Sequence, residues 1–129
     1  MRRKSRGFTL VELMIVISIM IILLSVAVPM YQQSIRHAKE TVLKEDLYEL
    51  RHVIDEYTYD KKKAPQSLDD LVSGGYMKRI PKDPITGQPD WQVVQEDTLL
   101  SIDQSEPGIN DVHSSSDLVG SDGTPYSQR

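Results

Sequence analysis

The pattern of hydrophobic and polar positions changes abruptly near residue 30. Residues 8–28 are apolar almost without a break, interrupted only by Thr9, Glu12, Ser18 and Ser25. About 20 such residues make a helix long enough to cross a bilayer. From Tyr31 onward the apolar positions are Ile35, Ala38, Val42, Leu43, Leu47, Leu50, Ile54 and Tyr57, separated by Arg36, Lys39, Glu40, Lys44, Glu45, Glu49 and Arg51. That spacing is the period of a helix with one apolar face. The charged residues read as its solvated face, with Glu40 and Lys44 forming a favourable i, i+4 pair. The pattern therefore predicts one helix from about Phe8 to Tyr59, its first half in a membrane and its second half amphipathic. Pro29 falls between the halves. Proline removes one backbone donor and favours a kink, which we expect within a continuous helix rather than at a helix end.

Three lysines at positions 61–63 suit a helix C-terminus, and Pro65 forbids its continuation. Residues 67–72 read as a short capped helix closed by Gly74 and Gly75. Residues 76–84 are an extended stretch broken by prolines, and 85–88 are turn-like. Two strands are predicted at 91–95 and 98–103, joined by a tight turn at Glu96 and Asp97. Trp91, Val93 and either Leu99 or Leu100 would face the helix, with Trp91 a core aromatic rather than a ligand-binding group. The predicted fold class is α+β, a long N-terminal helix packed on a small antiparallel sheet. Beyond Asp103 the chain turns rich in Ser, Gly and Asp, the composition of a flexible tail.

At 129 residues, with 21 or so committed to the apolar segment, the remainder has room for one modest core of roughly 100 residues. There is no cysteine, which excludes disulfide staples and thiolate chemistry. The formal charge of −4 hides an asymmetry, because Arg2, Arg3, Lys4 and Arg6 all precede Gly7. Without them 11 basic residues face 19 acidic ones. An acidic soluble part argues against nucleic acid as the main partner. The basic leader marks the cytoplasmic side of a membrane by the positive-inside rule, which places the acidic part across it. No nucleophile–base pair, P-loop or dinucleotide fingerprint is present, so the chain is not expected to be an enzyme.

A secretory signal would be followed by a small-residue cleavage site after its apolar run. Here the basic stretch ends in Gly7 immediately before the run, which suggests a cut that keeps the apolar segment. The block RGFTLVELMIVISIMIILLSVAVP resembles the N-terminus of type IV prepilins and type II secretion pseudopilins. The resemblance implies that a prepilin peptidase cuts between Gly7 and Phe8 and methylates the new amine on Phe8. It implies that Glu12, fifth in the mature chain, neutralises the Phe8 amine of a neighbouring subunit during assembly, and that Pro29 marks where the helix can loosen. Glu12 also demands a reason on physical grounds, since an acid in a membrane helix costs up to roughly 2.5–3.5 kcal/mol. Capping is the simpler one, because Thr9 and Glu12 fit the T-x-x-E capping box. The chain then divides into a removed leader (1–7), an assembly half-helix (8–29) and a soluble domain (30–129) with an acidic loop from about 103.

The stretch APQSLDDLVSGGYMKRIPKDPITGQPDWQVV extends the resemblance toward the major pseudopilins of type II secretion, the protein G family. The matching residues are Pro65, Leu68, Leu71, Tyr76, Pro81, Asp83, Pro84 and Gly87. That resemblance implies a structural subunit that polymerises into a pseudopilus and drives folded proteins across the outer membrane. The implied partners are further copies of the chain, prepilin peptidase, minor pseudopilins, an inner-membrane assembly platform and, before assembly, membrane lipid. The implied location is the inner membrane in a single pass, with the soluble domain in the periplasm. A type IV pilus subunit is the nearest alternative, and a membrane-anchored enzyme or calcium-binding module a remote one. The family also implies calcium in the C-terminal loop. Asp117 and Asp122 are the leading ligand candidates and Asp111 the next, all oxygen donors in a Gly-punctuated segment. The spacing departs from the family pattern, and the adjacent acidic pair is missing. His113 stands alone and does not suggest zinc; His37 and His52 read as helix-surface residues.

Overall fold

The computed structural model describes residue 4, residues 6–96 and residues 107–129. They fall into two compact units, Met1–Arg36 and His37–Arg129. One helix, α1 (Leu10–Lys61), contributes to both. Thr9 starts it: its hydroxyl oxygen accepts from the Glu12 N–H at 3.2 Å, and its carbonyl accepts from Leu13 N–H. These bonds satisfy amide groups that a helix start leaves without partners. The helix continues through Pro29, as expected. Pro29 has no N–H to offer the Ser25 carbonyl one turn earlier. The helix stops at Lys61, after which Lys62 adopts φ 57 and turns the chain left-handed.

In the first unit the apolar side chains of α1 face outward, from Leu10 to Met30. This stretch has the length and composition to cross a membrane. In water it would leave a large apolar surface uncovered.

In the second unit α1 buries Leu43, Leu47, Leu50, Val53, Ile54 and Tyr57. The predicted stripe is correct from Leu43 onward, but Ile35 and Val42 are exposed, and Val53 joins the buried set. Around this face gather Leu71, Trp91, Ile109, Val112 and Tyr126, so one core unites helix, loops and sheet. Tyr57 meets Tyr76 edge-on with ring centroids 5.2 Å apart. Trp91 is 7% exposed and donates its indole N–H to the Pro81 carbonyl at 2.8 Å, as a core aromatic should.

The short helix α2 (Asp69–Ser73) lies where the sequence predicts it. It is not capped by Ser67. Instead Asp70 turns its carboxylate back onto the N–H groups of Gln66 and Ser67 at 2.9 and 3.1 Å. Gly75, at φ 80, closes it in the left-handed conformation.

Among the described residues the sheet has two antiparallel strands, β1 (Gln92–Gln95) and β2 (Ile109–His113). Val93 pairs with Val112 and Val94 with Asp111, and the register shifts between Val94 and Gln95. β1 agrees with the predicted 91–95. The expected second strand at 98–103, Leu99 and Leu100 with it, and Asp97 of the expected turn lie outside the described residues. The partner that β1 does have comes from the region the sequence reads as tail. The fold is the α+β arrangement expected, with its sheet closed by a later segment. The reason is apolar content: Ile109 and Val112 are buried beneath the helix, and burial outweighs the local Ser/Gly/Asp composition.

Candidate functional site

Two regions carry residues singled out by the sequence. At the start of α1, Gly7 and Phe8 are exposed, and no atom lies within 4 Å of where a side chain on Gly7 would begin. The Gly7–Phe8 peptide is thus open to a protease. Glu12 sits in the first turn of α1, exposed, and no described residue donates to its carboxylate. The Thr9 half of the capping box is formed, its hydroxyl oxygen accepting from the Glu12 N–H. A carboxylate in an apolar helix with no partner among the described residues is available to a cation from elsewhere.

The other region is the C-terminal loop, held against α1 in the second unit. Glu40 is 8% exposed and accepts from Ser121 N–H at 2.8 Å, Ser121 hydroxyl at 2.5 Å and Tyr126 hydroxyl at 2.8 Å. The Ser121 hydroxyl above all, with the Ser121 amide, Tyr126 and nearby Arg129, holds its carboxyl down to about 2 from the usual 4.5 against the opposing effect of burial. This overturns the reading of Glu40 as a solvated partner of Lys44. The signal was present in the spacing, since Glu40 lies on the same stripe as Leu43, Leu47 and Leu50.

Arg51, also read as solvated, lies against β2. Its Nε is 2.6 Å from an Asp111 carboxylate oxygen, and its terminal nitrogen donates to the carbonyls of Val112 and Arg129. His113 Nδ1 lies 2.6 Å from the same Arg129 oxygen. Asp83, wholly buried, is the other residue missed as a site. It accepts from Ile85 N–H at 2.8 Å and from Ser114 hydroxyl at 2.5 Å, tying the 83–88 turn to the residue that follows β2. Residue types alone give no hint of that pairing across 31 positions.

The three calcium candidates do not converge. Asp111 is a strand residue, not a loop residue, and faces Arg51. Asp122 accepts from Arg129 at 2.6 Å and from Thr124 N–H at 3.0 Å. Asp117 is exposed, and no described residue donates to its carboxylate. Among the described residues no three acidic, histidine or cysteine side chains group to hold a metal. As arranged, this donor set does not fit calcium, which takes six to eight oxygens.

Residues 2–28 match the family described as the prokaryotic N-terminal methylation motif. That match spans Gly7, Phe8 and Glu12. No solved structure matches the chain. Type II secretion system core protein G of Aeromonas hydrophila is 32% identical, covering 92% of this chain and 93% of that protein. The protein of the same name from Klebsiella michiganensis is 34% identical over 93% and 95% of the two chains. That from Klebsiella pneumoniae is 31% identical over 92% and 94%. With the N-terminal motif, the α+β fold and full-length relatives in agreement, the chain belongs to the type II secretion system core protein G family.

Proposed function

We propose that this chain is the structural subunit of a type II secretion pseudopilus. It is cut between Gly7 and Phe8, N-methylated on Phe8, and polymerised through α1 to move folded proteins across the outer membrane. The observation that carries the reading is the first unit of the fold. It is a bare apolar half-helix carrying a carboxylate, Glu12, that has no partner among the described residues, a turn beyond an exposed Gly7–Phe8 bond. Such a surface needs lipid before assembly and like surfaces after it. Stacking of further copies covers the apolar side chains, and the Phe8 amine of a neighbour neutralises Glu12. Pro29 gives α1 a point where a backbone bond is already missing, so the helix can loosen there at low cost when packed in a filament.

The role is structural, without catalysis. Prepilin peptidase, minor pseudopilins and the inner-membrane platform are the partners this reading requires. The basic leader puts residues 1–7 in the cytoplasm and the acidic domain in the periplasm. A surface pilus for motility or adhesion is the competing use of the same assembly physics. The full-length relatives named for secretion favour the pseudopilus.

Mass spectrometry of the chain purified from membranes tests the first step, with the expected mass that of residues 8–129 plus one methyl group. An intact leader would overturn the reading. Deletion of the gene should abolish release of secreted proteins while leaving surface fibres unchanged. Loss of fibres with normal release would instead assign a pilus.

A further inference from the structure

The family resemblance leads one to expect a metal in the C-terminal loop, yet two of the three acids it points to, Asp111 and Asp122, are already engaged by the protein's own arginines. We propose that residues 118–129 are fastened to α1 by the chain's own groups, with Glu40 as the anchor and the Arg129 guanidinium as the cation at Asp122, so that the loop orders without calcium.

The fastening begins inside the loop. Tyr126 N–H donates to the Leu118 carbonyl, Gly120 N–H to Thr124, and Gly123 N–H to Gly120, with Val119 bridging Pro125. These bonds close the loop on itself, with Gly123 at φ 81 making the turn that a side chain would strain. Asp122 is drawn inward twice, by Thr124 N–H and by Arg129. The Arg129 guanidinium also lies 5.0 Å from the centre of the Tyr126 ring, and a methyl group at Gly120 would fall on it. Arginine therefore fills the space beside Gly120, Asp122 and Tyr126 with a delocalised positive charge that cannot be removed by a chelator or by deprotonation.

The closed loop is then held from below. Glu40 is buried on α1, and its two carboxylate oxygens take the Ser121 amide, the Ser121 hydroxyl and the Tyr126 hydroxyl. Hydrogen bonds to a buried charge are stronger than neutral ones. An exposed ion pair such as Asp122 with Arg129 adds little alone. Glu40 thus supplies the anchorage, and Arg129 offsets the charge of Asp122. A second tether comes from Arg51, which bonds Asp111 in β2 and the Arg129 carbonyl. Calcium bound at the Asp122 oxygen that Arg129 holds would have to displace Arg129, and Asp111 would remain with Arg51.

The test uses the full chain in detergent, followed by fluorescence of Trp91, the sole tryptophan, and by protease cleavage within 118–129. Excess calcium and excess chelator should give the same melting temperature and the same protection. Glu40→Ala should expose the loop to cleavage and lower the melting temperature by several degrees, in calcium and in chelator alike. Should Glu40→Ala fail to fold, Ser121→Ala removes one of the three bonds and should move both readouts the same way by less. Arg129→Ala and Asp122→Ala should each loosen the loop, and combining them should add nothing to the larger single effect. The proposal is overturned if chelator lowers the melting temperature and opens the loop. It is equally overturned if Asp122→Ala abolishes a calcium response that Arg129→Ala preserves.

Discussion

Glu12 and Glu40 lie on one helix, and their surroundings give them opposite characters. Glu12 is exposed with no donor from the described residues, whereas Glu40 is buried with three. For Glu40 this sets a pH dependence. Its folded-state pKa of about 2 lies below the usual 4.5, so its contribution is present above about 4.5 and is lost as pH falls toward 2. Glu40→Gln should therefore be less stable than the parent chain at neutral pH, and the gap should narrow as pH is lowered from 4.5 to 2. The Trp91-monitored unfolding of both chains across that window checks it. A gap that stays constant down to pH 2 would show that Glu40 acts through shape alone. At neutral pH the loss should be roughly 1–3 kcal/mol, the cost of leaving buried donors unsatisfied.

At the scale of elements, the second unit depends on how closely β2 approaches the end of α1. Ile109 N–H donates to the Pro65 carbonyl at 2.8 Å, fixing the start of β2 to the corner that follows the helix. Gly108 makes that approach possible: a side chain there would begin 2.7 Å from the Pro65 oxygen and 2.9 Å from the Ala64 methyl carbon. Those are backbone and short side-chain atoms with nowhere to swing. Gly108→Ala should therefore force β2 away from the corner and cost about 1–3 kcal/mol, in the range of overpacking. Urea unfolding followed at Trp91 measures it. Unchanged stability would mean the corner can open freely. Gly75, whose first side-chain atom would meet nothing within 4 Å, offers a contrast, because there the objection is the positive φ and not space.

For the whole molecule, the assembly reading turns on one carboxylate in the first unit. Glu12→Ala removes a charge that opposes membrane insertion, so the variant should reach the membrane at least as well as the parent chain. It should also lose the partner for the neighbouring Phe8 amine and fail to form filaments. Membrane fractionation together with crosslinking of neighbouring subunits separates the two effects. Filaments at parental yield would reduce Glu12 to a residue of the first helical turn. The second unit serves as an internal control, since its core contains no residue before Leu43 and should melt unchanged in this variant.

The sequence by itself determined the parts governed by local periodicity and by composition over long runs. Residues 8–28 have the length and composition of a membrane-scale helix, the 3.6-residue stripe carries the expected helix on to about Tyr59, and the block around Gly7, Phe8 and Glu12 carries the resemblance to prepilin N-termini. Pro65, Gly74 and Gly75 likewise punctuate where local backbone rules say they must. Tertiary structure decided everything that rests on pairs distant in the chain. Glu40 reads as a surface acid until Ser121 and Tyr126, more than 80 positions away, arrive to solvate it. Arg51 and Asp111 are each ordinary charged residues until β2 lies beside the helix. Residues 109–113 look like tail because Ser, Gly and Asp surround them, and become a strand because Ile109 and Val112 find a core to enter. A burial partner is a property of the folded chain. Side-chain type records only what a residue needs, and packing settles which distant group supplies it.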